Sequence, residues 1–381
     1  MERKKKMNDI EHILRKIAEE IEISQEEFER AIKSYNAVGT YLNNNITESE
    51  IKIVPQGSFS LGTAIKPITD EDEYDIDIVA IMDNKFSNPC ELKMVVGKAL
   101  KKSDRYADKL MEGKRCWTIE YADSSKFHID ILPTMKSDTY SVNKQLIMTH
   151  RDGKNYDYEF RTTNPEAYYD WFVSKIKNEK KKLIEDYAYR NQMEVNSVPY
   201  YAVKTNLQIA IELLKRYRDI KFKNDPEQKP ISIIITTIMA KVYTDGDGVF
   251  ELIEKFSREY INFLEKDDNG NIIIRNPVNS SENFADKWQK YPDRKDAFFR
   301  FINDLRTDLV ENSVLINGSQ IEQADIYKTL FGENVIKRVY ENEANEMRIA
   351  RENGKVYIRT SGNITKEKTS IKVKEHSFYG K

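Results

Sequence analysis

The chain has 381 residues, 39% hydrophobic and 33% charged, enough for two domains and a sizeable core beneath a heavily charged surface. Its 61 basic and 63 acidic residues leave a formal net charge of -2, which excludes a global field that would draw in duplex nucleic acid. Cys90 and Cys116 are the only cysteines and the four histidines lie far apart, so neither a disulfide framework nor a zinc-binding spacing exists.

The opening MERKKKMNDIEH is basic, but no apolar segment follows it, so it is not a signal peptide. Residues 8–22 read as a helix. A second helix begins at SQEE, where Ser24 and Glu27 fit a capping box. Phe28, Ile32, Tyr35, Val38 and Leu42 recur every three or four residues, predicting one long amphipathic spine helix near the N-terminus. IKIVPQ is strand-like and ends at Gly57-Ser58. A short helix is expected over Phe59 to Ile65, stopped by Pro67. YDIDIVAIM alternates and then turns wholly apolar, as an interior strand does. PCELKMVVGKALKK reads as a helix, and CWTIEY and KFHIDILP read as strands joined by the polar turn ADSS. Helix, strand, helix, strand, helix, strand, strand makes a mixed α/β domain over residues 1–160.

After Asn164 the pattern becomes helical, with a Pro at the first helical position of NPEAYYDWFVSKIKNEKKK. YYAVKTNLQIAIELLKRYRD, KPISIIITTIMAKVY and DGVFELIEKFSREYINFLEK follow. The apolar run ISIIITTIMA suits a strand on propensity alone but is read as helix; it is about half the ~20 residues of a membrane span. With no span and no signal peptide, the chain reads as cytoplasmic. NGNIIIRNPVNSSENFADKW is an extended excursion, and RKDAFFRFINDLRTDLVEN and ENVIKRVYENEANEMRIA return to helix, giving a second domain over residues 161–350. The tail, residues 351–381, carries eight Lys or Arg against three Glu without periodicity and reads as extended or partly disordered.

The chemistry concentrates in one stretch. Residues two apart on a strand share a face, so Asp75 and Asp77 point together while Ile76 and Ile78 enter the core. Asp130 in FHIDILP faces away from Phe127, Ile129 and Ile131. If the two strands are neighbours, three carboxylates meet on one face, a set of hard oxygen ligands suited to Mg²⁺ or Mn²⁺. A pair of such ions polarises a nucleotide α-phosphate and activates an attacking hydroxyl. Gly57 and Ser58 form a small-residue turn that cradles triphosphate oxygens with backbone N–H groups and a hydroxyl. Gln56 shapes that turn. Asp-x-Asp or Gly-Ser alone is weak evidence; the ordered combination points to a nucleotidyltransferase. His128 sits beside Asp130 as a structural neighbour, DGDG at 245–248 is a turn without the downstream Glu of a calcium loop, Lys180 to Lys182 read as a solvated helix end, and YYDWF reads as core.

The segments GSFSLGTAIKP, EYDIDIVAIM and FHIDILP, continued by LQIAIELLKRYRD and KPISIIITTIMAKVY, resemble the cGAS/DncV-like nucleotidyltransferases of bacterial anti-phage (CBASS) systems over most of residues 20–310. The resemblance implies an α+β fold: a polymerase-β-type nucleotidyltransferase domain packed on a C-terminal helical domain, with the active site in the cleft. It implies an enzyme that joins nucleoside triphosphates, ATP among them, into a cyclic di- or trinucleotide second messenger. By the resemblance Gly57 and Ser58 grip the triphosphate, Asp75, Asp77 and Asp130 bind two Mg²⁺ or Mn²⁺ ions, and Lys215 and Ser232 contact phosphates. CBASS ancillary proteins that act on the C-terminus are implied as partners, although Lys381 follows Gly380. The zinc thumb of the animal DNA sensor has no counterpart, so no obligate DNA ligand is expected. Alternative readings are a transferase modifying tRNA or protein and an inactive nucleotide-binding scaffold.

Overall fold

A computed structural model of the chain describes residues 2–69, 74–83, 85–121, 127–138, 145–152, 157–358, 364–365 and 371–372. The turn expected at ADSS and the end of the tail fall outside these residues.

Both N-terminal helices expected from the sequence are present. α1 spans Glu2–Ile21 and α2 spans Gln25–Asn45. The break has a local cause: Ser24 caps α2 through the full capping box with Glu27, while Glu22 bridges to Ile65. The two helices serve different cores. Leu14, Ile17 and Ile21 of α1 pack with the helices of the C-terminal half, whereas Val38 and Leu42 of α2 pack under the sheet.

β1 (Ile51–Pro55), a single helical turn α3 (Gly57–Ser60) and β2 (Tyr74–Met82) come next. α3 ends well short of the expected Ile65. α4 (Pro89–Lys101) leads to β3 (Leu110–Glu112), β4 (Trp117–Glu120) and β5 (Phe127–Lys136). Two strands unforeseen in the sequence, β6 (Leu146–Asp152) and β7 (Asp157–Thr163), complete the sheet. Its order is β1-β2-β5-β4-β3, with β6 paired to the second half of β5 and β7 to β6. Only β2 and β5 run parallel. Alternation divides β2 cleanly: Ile76, Ile78 and Ala80 enter the core shared with α2 and α4, while Val79 and Ile81 lie on the opposite face, in a small cluster with Leu146.

The second half is helical: α5 (Pro165–Asn191), α6 (Asn206–Lys221), α7 (Ser232–Val242), α8 (Val249–Glu259), α9 (Pro292–Leu305), α10 (Ser313–Asn317), α11 (Gln320–Phe331) and α12 (Glu333–Glu352). The Ile-Thr run is therefore helix, and Ile234, Ile235 and Ile238 are buried. Short strands at Ile272–Ile273, Arg275–Asn276 and Asn279–Asn283 form the extended excursion. Lys180 departs from the solvated reading: it lies within α5, buried, donating to the Val203 carbonyl beneath the Tyr200 ring. Asp247 of DGDG is tied to Lys255 and to the Thr244 N–H, as a turn residue. Among the described residues no helix is long and apolar enough to cross a membrane.

Candidate active site

The parallel pairing of β2 with β5 supplies what the sequence left conditional. Asp77 is the cross-strand partner of Asp130, and Asp75 that of His128. All four side chains stand on the face opposite the α2–α4 core. As oriented, however, the carboxylates are not gathered. Asp75 Oδ1 meets His128 Nε2 at 3.0 Å, and Thr118 Oγ1 donates to Asp130 Oδ1. Among the described residues no group of three or more His, Cys, Asp or Glu stands ready to hold a metal ion. Like charges without an intervening cation take separate neutral or cationic neighbours.

Asp77 has no ion-pair partner among the described residues. Burial, then the charges of Asp75 and Asp130, push its pKa up to about 7. The His128 hydrogen bond instead holds Asp75 below the usual carboxylate range. Half-buried Asp77, with Asp75 and Asp130 on the same sheet face, offers hard oxygen donors of the type a divalent cation takes, although the three are not gathered as they stand. Cys116 offers no rival nucleophile, because burial and Asp130 push its thiol up to about 12.

Gly57 lies against Asp77. Its φ is +65°, and a Cβ there would overlap Oδ2 of Asp77 and stand 3.1 Å from its Cγ. The expected reason for glycine, room for a phosphate, is thus joined by a nearer one. The Gln56 N–H donates to the Asp77 carbonyl at 2.8 Å, so the turn is stitched to the carboxylate strand through the backbone. Ser60 Oγ donates to the Gly57 carbonyl, and the Thr63 N–H donates to the Ser58 carbonyl.

One face of α6 holds the loop that follows. Gln208 donates to the Leu61 carbonyl at 2.8 Å, Lys215 to Thr63 at 2.7 Å, and Arg216 to Lys66 at 2.7 Å. Lys215 is buried, and desolvation pushes its pKa down to about 8. Ser232, the first residue of α7, accepts from Arg218 Nη1, whose other edge grips Asp219. The sequence reading missed Gln208, Arg216 and Arg218. Helical spacing from Lys215 would have found Arg218, three residues on.

Two cavities meet at Gly57 and Asp77. The smaller, about 410 Å³, is lined by Ser58, Asp75, Lys215, Arg218, Lys229 and Ser232. With Gly57 and Asp77 it unites six of the predicted site residues with two unforeseen cations, Arg218 and Lys229. The larger, about 740 Å³, opens on the other side towards Gln56, Arg115, Tyr169, Ile231 and Glu282. Tyr168 and Phe172 of the aromatic segment are core, but Tyr169 faces this cavity. Asp130 lines neither cavity.

Residues 7–175 match the family described as the Second Messenger Oligonucleotide or Dinucleotide Synthetase domain. The chain is 30% identical over 379 residues to a c-di-GMP synthase of Roseivirga ehrenbergii, covering 97% of each protein. It is 21% identical over 349 residues to the cyclic dinucleotide synthase CdnG of Bradyrhizobium diazoefficiens, covering 86% of this chain and 82% of that one. The structure of that CdnG in complex with GTP superposes with a TM-score of 0.70 at 20% identity, covering 88% of this chain and 99% of the other. A carboxylate strand pair facing a Gly-Ser turn, in a fold shared along nearly the whole chain, makes this protein a member of the cGAS/DncV-like nucleotidyltransferases, a family of cyclic oligonucleotide synthases.

Proposed function

We propose that the chain joins two nucleoside triphosphates, GTP among them, into a cyclic dinucleotide that acts as a second messenger in cytoplasmic anti-phage defence. The observation that carries this reading is the Asp77–Asp130 register on parallel neighbours with Gly57 packed on Asp77. The Roseivirga relative's name, c-di-GMP synthase, supports guanine as a substrate base. Both cysteines are free, which suits a reducing compartment.

Asp75, Asp77 and Asp130 would hold two Mg²⁺ or Mn²⁺ ions, which when bound supply Lewis acidity at the α-phosphate and a lowered hydroxyl pKa. The chain's own residues do the rest. The Gly57-Ser58 turn, Lys215, Arg218 and Lys229 hold the triphosphate in the smaller cavity, and Ser232 adds a hydroxyl there. The larger cavity orients the second nucleotide so that its ribose hydroxyl lies in line with that phosphorus. A P–O ester bond forms, the bond to pyrophosphate breaks, and the hydroxyl proton is released. The linear intermediate then turns round, with its triphosphate end in the smaller cavity, and the second bond closes the ring.

Given nucleotides and Mg²⁺ or Mn²⁺ but no macromolecular acceptor, the protein should release two pyrophosphates per ring. Release that appears only when tRNA or a protein acceptor is added would replace this reading with a macromolecule-modifying one.

A further inference from the structure

The walls of the larger cavity carry an unbalanced set of polar groups. Arg115 enters from the loop before β4, and its Nε donates to His150 Nδ1 at 3.0 Å. Among the described residues the guanidinium has no carboxylate partner within ion-pair distance. Its terminal nitrogens are left as a two-pronged donor, and burial lowers its pKa. Glu282, on the strand Asn279–Asn283, accepts at Oε2 from Asn276 at 2.7 Å. No described cation lies within ion-pair distance of it; burial raises its pKa, partly offset by the Asn276 hydrogen bond and by the charge of Arg115 across the cavity. Asp286 nearby differs, its side chain being 47% exposed and 4.0 Å from Arg161. Tyr169, Ile231 and Phe284 give the same cavity apolar surface suited to a planar ring.

A fixed donor fork and a fixed acceptor, each short of a partner, describe the edge of a purine. Guanine presents acceptors at N7 and O6 beside donors at N1 and N2, whereas adenine presents a donor at N6 and an acceptor at N1. A carboxylate facing adenine N1 sets acceptor against acceptor, and the guanidinium facing N6 sets donor against donor. We propose that Arg115 and Glu282 read the base of the nucleotide in the larger cavity as guanine, Arg115 binding O6 and N7 and Glu282 binding N1–H and the 2-amino group. This rests on the nucleotidyltransferase reading above and names the specificity of the same site.

Inosine triphosphate keeps O6, N7 and N1–H but lacks the 2-amino group, so the unmodified protein itself provides the test. With pyrophosphate release as readout, kcat/KM for GTP should exceed that for inosine triphosphate by about tenfold to a hundredfold, the discrimination of one bidentate pair. Glu282→Gln should bring that ratio to near one by lowering GTP turnover. 7-Deaza-GTP, which lacks N7, should be a poorer substrate for the wild-type protein, and Arg115→Met should erase the difference. Equal use of GTP and inosine triphosphate by the wild-type protein would overturn the assignment of Glu282 while leaving the synthase reading standing. Failure of every nucleotide combination would instead overturn the synthase reading, and this proposal with it.

Discussion

Asp77→Asn is expected to lower cyclic product by at least about a thousandfold, the scale of removing a charge that stabilises a phosphoryl-transfer transition state. The same change should raise the melting temperature of the nucleotide-free protein at pH 8. The two effects share one cause. Asp77 sits half-buried at the floor of two cavities, and partial desolvation with the charges of Asp75 and Asp130 raises its pKa on folding from 3.8 to about 7. For an acid shifted upward, the stabilising contribution is complete below the unfolded value and is lost as pH rises through the folded one. The wild-type protein should therefore lose stability between about pH 4 and 7, and Asn, which cannot ionise, should not. The advantage of the variant should reach about 1–3 kcal/mol at pH 8 and shrink at pH 5. Calorimetry at the two pH values, with product measured in parallel, checks both halves. A variant with wild-type product, or a stability difference independent of pH, would contradict the assignment.

Gly57→Ala should cost activity far beyond its cost in stability. Left-handed backbone at a non-glycine residue costs roughly 1–2 kcal/mol. At position 57 the new methyl also collides with the Asp77 carboxylate. The second effect displaces the central acid of the site and should reduce turnover by at least about a hundredfold, as small misplacements in phosphoryl transfer do. Gly270 separates the two effects: its φ is +80° and nothing lies within 4 Å of its added Cβ. Gly270→Ala should share the loss of stability and keep wild-type turnover. If Gly57→Ala also kept it, the tight packing of turn on carboxylate would have no catalytic meaning.

The site was legible in the sequence where its periodicity is local. The period of two in YDIDIVAIM places Asp75 and Asp77 on one face, and alternation in FHIDILP places Asp130 likewise. Which strand lies beside which is a long-range fact, and only the structure supplies the Asp77–Asp130 register. β6 and β7 are illegible in the sequence because LIMTHRD and DYEFRTT mix charged and apolar residues, and no residue of β7 is fully buried to mark a core face. The two N-terminal helices and the Ser24 cap between them are legible in the sequence, whereas the different core that each helix packs on is not. Lys215 enters the site by resemblance, whereas its hydrogen bond to the Thr63 carbonyl, which holds the loop after the turn, is visible only in the fold. Arg115 and Glu282 stand 167 positions apart and carry no motif, so only folding could bring them to one cavity.

The most direct test of the central claim is the mass of the phosphatase-resistant product made by the purified protein from the four nucleoside triphosphates with Mg²⁺ or Mn²⁺. A guanine-containing cyclic dinucleotide, absent from a parallel reaction with Asp77→Asn, is the predicted result. A linear product with a free phosphate end, or label carried only on an added macromolecule, would contradict it.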